Sequence, residues 1–159
     1  MLTFAVPKKR KNAHISIALL ALGLMFFHLS SIIKIYPYIL QVTGLAFLIL
    51  AIQIMQRYVL SDFVYVIDDY DNGDSVLNII KVQGNKKITV CSVSLVKCLY
   101  SDDYEKIALK PDNSFDYRQN VLSHNKFALI YHENDDIILI KLEADDEFIG
   151  AISSRINKN

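Results

Sequence analysis

Residues 13–56 read AHISIALLALGLMFFHLSSIIKIYPYILQVTGLAFLILAIQIMQ, and Lys34 is the one Lys, Arg, Asp or Glu among them. It divides the stretch into two apolar runs, residues 14–33 and 35–56. Wound as a helix rising about 1.5 Å per residue, each run is about 30 Å long, the thickness of a bilayer's hydrocarbon core. The sequence thus predicts a two-helix transmembrane hairpin over 13–56, with the bilayer itself as its partner. Pro37 suits the turn or the first turn of the second helix, where its missing N–H costs little. Tyr36 and Tyr38 suit the interfacial aromatic belt.

Charge is distributed unevenly around this stretch. Five of the 17 basic residues precede Arg57 and none of the 17 acids does, which leaves 12 basic against 17 acidic side chains, a net charge of −5, from Arg57 onward. The basic segment 1–12 carries Lys8, Lys9, Arg10 and Lys11 beside the first run, and Arg57 follows the second. Basic residues flanking a membrane span stay in the cytoplasm, so these five determine the expected topology: a multi-pass protein with both termini inside. A cleaved signal peptide is the competing reading, but no small-x-small cleavage site of the A-x-A type precedes Lys34. The acidic remainder argues against nucleic-acid binding.

Inside the hairpin His28 stands out, because an imidazole at membrane depth is costly to bury. One interhelical hydrogen bond to Ser30, Ser31, Gln41 or Thr43 would satisfy it, whereas a proton or metal pathway needs several such groups in register. Two helices also cannot enclose a pore. No GxxxG-type pair of small residues stands out.

From Gln56 onward the continuous apolarity gives way to short β-prone runs broken by turn residues, the pattern of an antiparallel sheet domain over 57–159. Strands are predicted at 58–67, 76–82, 87–92, 94–100, 115–121, 126–132 and 136–142. Asp71-Asn72-Gly73-Asp74, Gln83-Gly84-Asn85 and Glu133-Asn134-Asp135 read as turns, and 101–113 as a loop with a short helical turn near 104–109. A helix over 144–157 closes the chain, with Asp145, Asp146 and Glu147 in its first turn and Phe148, Ile149, Ile152 and Ile156 as one apolar stripe.

The run Ile137-Ile138-Leu139-Ile140-Lys141-Leu142-Glu143 leading into Asp146-Glu147-Phe148-Ile149 looks like the last strand and helix of bacterial pleckstrin-homology-like domains. The whole chain resembles small bacterial membrane proteins with two transmembrane helices ahead of such a domain. That resemblance implies a seven-stranded antiparallel barrel of two orthogonal sheets capped by the carboxy-terminal helix, a place in the bacterial plasma membrane, and a binding or scaffolding role. The chain departs from phosphoinositide-binding members in one respect. Their first hairpin loop is basic, and here it is Asp68-Asp69-Tyr70-Asp71-Asn72-Gly73-Asp74, whose carboxylates repel an anionic headgroup.

The same loop does not fit an EF-hand. With Gly73 at the sixth position, the third would be Tyr70 and the twelfth Ile79, so an irregular cation site is all it would offer. Cys91, Cys98, His124 and His132 are the thiols and imidazoles of this half. The cysteines lie in predicted strands, without metal spacing, and read as small buried hydrophobes. No Walker, Rossmann, HExxH or GxSxG motif occurs. The expectation is therefore a non-enzymatic, membrane-anchored module, without cofactor or metal, that recruits a protein partner. The alternative is an accessory or regulatory subunit of a transporter or envelope-assembly complex that docks through its hairpin.

Overall fold

A computed structural model of the chain describes residues 1–7, 11–33, 36–71, 73–103, 107, 110–121, 127–134 and 136–156, without the side chains of Lys11, Tyr100, Ser101 and Asp102. Two compact units result: Lys8–Ser61, and Met1–Pro7 together with Asp62–Asn159. The chain therefore leaves the second unit after Pro7 and re-enters it at Asp62.

In the helical unit, α1 spans Lys11–Ile32 and α2 spans Pro37–Ile54. A π-helical turn, Met55–Val59, extends α2, with Leu60 N–H donating to the Met55 carbonyl. Both helices are long and apolar enough to cross a membrane. They bury little of that apolar surface in the unit: Ile17, Leu24, Ile39, Val42 and Ile52 are all more than half exposed. What they do share is close packing. Gly23 and Gly44 meet at the crossing, and the Phe26 and Phe47 rings stack at 5.6 Å.

Polar contacts in this unit bind its ends. Asn12 Nδ2 donates to the Tyr58 carbonyl at 3.4 Å, and Ser16 Oγ donates across the helices to the Ala51 carbonyl at 3.0 Å. Ser61 Oγ donates to the Gln56 carbonyl, satisfying one of the acceptors that a helix end leaves open. The expected bond from His28 to a facing helix is not formed among the described residues, and His28 is exposed. Ser30 Oγ instead turns back to the Phe27 carbonyl of its own helix.

In the β unit, β1 is Leu2–Ala5, β2 Asp62–Asp69, β3 Ser75–Gln83 and β4 Lys86–Ser94. They form one antiparallel sheet in that spatial order. After a 3₁₀ turn, Leu95–Lys97, come β5 (Cys98–Asp103), β6 (Asn113–Asp116), β7 (Phe127–Glu133) and β8 (Asp136–Leu142), a second sheet ordered β5-β7-β8-β6. Helix α3, Asp146–Ile156, follows.

Several expectations need correction here. Residues 1–12 are not simply a basic leader, because Leu2 and Phe4 point into the core and their strand pairs with β2 from Leu2↔Ile67 to Ala5↔Val64. The strand expected at 58–67 starts at Asp62, since residues up to Val59 continue the helix. Eight strands are described, in two open four-stranded sheets, where one closed seven-stranded barrel was expected. Nor is the pairing wholly antiparallel, because β6 runs parallel to β8. β6 also ends at Asp116 rather than reaching residue 121, since Gln119 and Asn120 turn their amides into buried hydrogen bonds.

The core lies where the two sheets and α3 converge. Tyr65, Ile67, Leu77 and Ile79 from the first sheet meet Leu129, Ile140 and Leu142 from the second, and α3 adds Phe148 and Ile152. Phe4 stacks on Phe148 at 5.2 Å, so the first strand supplies part of the bed on which the last helix lies. Asp145 caps α3 by accepting the Phe148 N–H at 2.9 Å. A buried joint closes the structure: Glu143 accepts Asn120 N–H at 3.0 Å and Asn120 Nδ2 at 2.8 Å, while the same Nδ2 donates to the Pro7 carbonyl. Among the described residues no buried side-chain polar atom lacks a partner, as a stable interior requires.

Candidate functional site

Edge strands decide where this fold can be approached. Each open sheet leaves two edges, and the free edges of β4 and β6 bound a cleft of about 430 Å³. Cys91 from β4, Tyr117 following β6, Tyr131 from β7 and Ile138 from β8 line it, with Val90 and Phe115 at its mouth. At one end the β7–β8 hairpin contributes Glu133, Asn134 and Asp136. Asn134 takes the left-handed conformation (φ 50) that closes this tight turn, and Asn tolerates it better than most residues do.

The cleft is aromatic and carries fixed donors. Phe115 and Tyr117 stack at 6.4 Å, and Tyr117 meets Phe63 edge-on at 5.9 Å. Burial pushes the Tyr117 hydroxyl up to about 12, with the neighbouring Cys91 adding to the shift. Burial likewise raises Tyr131 to about 12, helped by Glu133, to which its hydroxyl donates at 3.4 Å. The Cys91 thiol is pushed up by burial against a smaller opposing effect of its bond to the Tyr117 hydroxyl. All three groups are therefore neutral at pH 7. Among the described residues the lining contains no Lys or Arg, and its carboxylates are Glu133 and Asp136. Such a cleft can take up an apolar or aromatic body, and offers carboxylate acceptors to a polar tip.

Of the thiols, imidazoles and topology-determining residues singled out in the sequence, Cys91 lines this cleft. Lys8, Lys9 and Arg10 lie outside the described residues, and Lys11 opens α1. Arg57 is exposed in the π-helical turn, its guanidinium carbon 5.1 Å from the Tyr58 ring centroid. Cys98 is buried, raised to about 12 by burial, with Sγ donating to the Ser94 carbonyl. His132 is exposed on β7, and His124 lies outside the described residues.

Two carboxylates of the acidic β2–β3 hairpin, Asp68 and Asp69, are engaged separately. Asp68 accepts Asn78 Nδ2, and Asp69 accepts Ser75 Oγ and both Arg155 nitrogens at 2.7 Å. Among the described residues no three His, Cys, Asp or Glu side chains gather as a metal site would need.

The cleft escaped the sequence reading because its wall is assembled from both sheets, and no contiguous motif spells it. The available signal was local: Ile88 and Val90 are apolar positions in the edge strand Lys86–Ser94, and the structure leaves them 58% and 37% exposed. No protein-family model matches the chain, and no curated protein or solved structure matches it either.

Proposed function

We propose that this chain is a membrane-anchored binding module of a bacterial plasma membrane. Its two apolar helices hold a pleckstrin-homology-like domain at the cytoplasmic face, and that domain recruits a protein partner without catalysing a reaction. The observation that carries the reading is the open aromatic cleft between β4 and β6, a concave surface in the β unit that combines apolar walls with convergent polar groups. The state of its thiol supports the non-enzymatic part, since a raised Cys91 is a poor nucleophile at neutral pH.

Strand pairing supports the topology. β1 precedes α1, β2 follows α2, and the two are neighbours in one sheet, so the chain must cross the bilayer an even number of times between them. Lys8, Lys9, Arg10, Lys11 and Arg57 then share one side, which the positive-inside rule makes the cytoplasm. The acidic β2–β3 loop makes phosphoinositide binding at that hairpin unfavourable.

The test is site-specific photo-crosslinking in native membranes. The intact protein carries a photoreactive residue either at Phe115 in the cleft or at Val42 on the exposed face of α2. A discrete protein adduct from Phe115 is the expected result. Adducts from Val42 alone would favour an accessory subunit docking through its hairpin, and would overturn the cleft reading.

A further inference from the structure

We propose that the partner presented to this cleft is an extended peptide segment that adds to the β4 edge and places a lysine or arginine side chain between Glu133 and Asp136. The proposal rests on the binding-module reading above and gives the chemistry of its occupant.

The backbone provides the first argument. β4 runs for nine residues, Lys86–Ser94, and among the described residues pairs only with β3, so one row of its N–H and C=O groups faces outward. Such a row is a template for a further strand. A bulge between Ile79 and Ile80 leaves Val90 as the extra residue on β4, directly at the cleft mouth. Bulges re-aim side chains where a sheet must meet something. An added strand has period-two side chains, so alternate ones would enter the cleft beside Val90 and Cys91 while the others face outward.

Charge provides the second argument and selects the occupant. Glu133 and Asp136 are direct cross-strand partners in the β7–β8 hairpin. Two carboxylates held opposite one another repel, and among the described residues nothing basic lines the cleft to offset them. A cation from outside relieves that repulsion. The rings of Phe115, Tyr117 and Tyr131 line the same cleft, and they suit the aliphatic stem and the charged head of a lysine or arginine. An acidic or phosphorylated segment would meet the two carboxylates with its own charge and is disfavoured. At the far end of β4, Lys86 and Lys87 discourage indiscriminate pairing along the edge, so recognition is confined to the cleft end.

The test uses the full chain in lipid nanodiscs as bait for a phage-displayed library of random decapeptides. Selected peptides are expected to carry Lys or Arg at one fixed position at least fivefold over the unselected library, flanked by β-branched or aromatic residues. The Glu133→Gln/Asp136→Asn double variant should abolish that enrichment and weaken a selected peptide at least tenfold, with an unchanged thermal unfolding midpoint as the check that it folds. A second variant, Phe115→Ala, leaves the acids in place and should weaken the same peptide.

Selection of acidic or purely apolar peptides, equal enrichment on the double variant, or no enrichment at all would overturn the proposal. So would a selected peptide displaced by n-butylamine as readily as by itself, because the strand would then contribute nothing. Failure here together with a protein adduct from Phe115 would leave the binding module standing with different chemistry. Failure of both experiments would remove the two together.

Discussion

Gly23 and Gly44 face one another across the α1–α2 crossing. A methyl group added to Gly23 would lie 2.8 Å from Leu48 and 3.0 Å from the Gly44 carbonyl oxygen, and one added to Gly44 would lie 2.9 Å from both the Gly23 carbonyl oxygen and the Phe27 ring. Close approach of this kind is how helices associate in lipid, where burying apolar surface gains nothing. The two positions should differ in tolerance. Leu48 is a flexible side chain that can move, whereas Gly44→Ala drives its methyl into backbone and ring. We expect Gly44→Ala to destabilise the helix pair by about 1–3 kcal/mol and Gly23→Ala by less, measured by SDS-induced unfolding of the full chain in mixed micelles. Equal, negligible effects would mean the helices do not pack as described.

The first strand is integral to the β unit. Phe4 stacks on Phe148 and lies 6.2 Å from Tyr65, and Pro7 accepts from Asn120. Phe4→Ala removes a half-buried ring from this cluster, and the loss should be about 1–3 kcal/mol, below the 3–5 kcal/mol typical of a fully buried phenylalanine. Deleting residues 2–5 should do more, since it strips β2 of a partner along its edge. Limited proteolysis of the β unit reads both; an unchanged cleavage rate in the deletion would count against the strand.

Asp69 and Arg155 form a bidentate ion pair between the β2–β3 hairpin and α3. Its bonds to Arg155, then to Ser75, hold the Asp69 carboxyl well below the usual carboxylate range. With the Arg155 side chain 22% and the Asp69 side chain 42% exposed, water screens the pair and its worth is about 0.3–1 kcal/mol. Because the folded pKa is depressed, the contribution is fully present above the unfolded value of about 4 and disappears as pH falls through the folded one. Asp69→Asn should therefore be less stable than wild type at pH 7, and the difference should shrink steadily below pH 4. A constant difference across that range would show that the charge is not its origin.

Cys91 should be slow to react despite being only half-buried. Burial raises its thiol, and the Tyr117 hydroxyl donates to it and partly opposes the rise. Tyr117→Phe should push the thiol higher still and slow alkylation further. The rate constant for iodoacetamide labelling at Cys91, followed by mass spectrometry from pH 7 to 10, checks this. Faster labelling in the variant would instead mean that the hydroxyl mainly shields the sulfur.

The elements legible in the sequence are those that carry their own periodicity. Two unbroken apolar runs give α1 and α2, and Gly84, at φ 58, marks the β3–β4 turn through the conformation that glycine adopts most readily. The stripe Phe148–Ile152 gives α3 its buried face. What stayed hidden depends on partners distant in the chain. Leu2 and Phe4 alternate over only four residues, next to a basic cluster that dominates the reading, and nothing local announces that β2 lies waiting beyond two helices. Arg118, Gln119 and Asn120 read as the polar end of a strand until Asp116, Phe63 and Glu143 supply their hydrogen bonds. The cleft is hidden for the same reason, since Cys91 and Tyr117 become neighbours only when both sheets are complete.

The placement of β1 also sets an order of events during synthesis. Leu2–Ala5 leaves the ribosome before α1, yet its pairing partner Asp62–Asp69 emerges only after α2. Until then the strand has no sheet to join. For a hairpin that spans the bilayer, the pairing can form only once both helices have crossed and the chain has returned to its starting side. A chain that inserts one helix and strands the other leaves β1 and β2 on opposite sides, with Phe4 missing from beneath α3 and the edge of β2 open. If the hairpin spans the bilayer as proposed, completed insertion would be read in the resistance of the β unit to proteolysis, since a mis-inserted copy would keep an unfinished sheet.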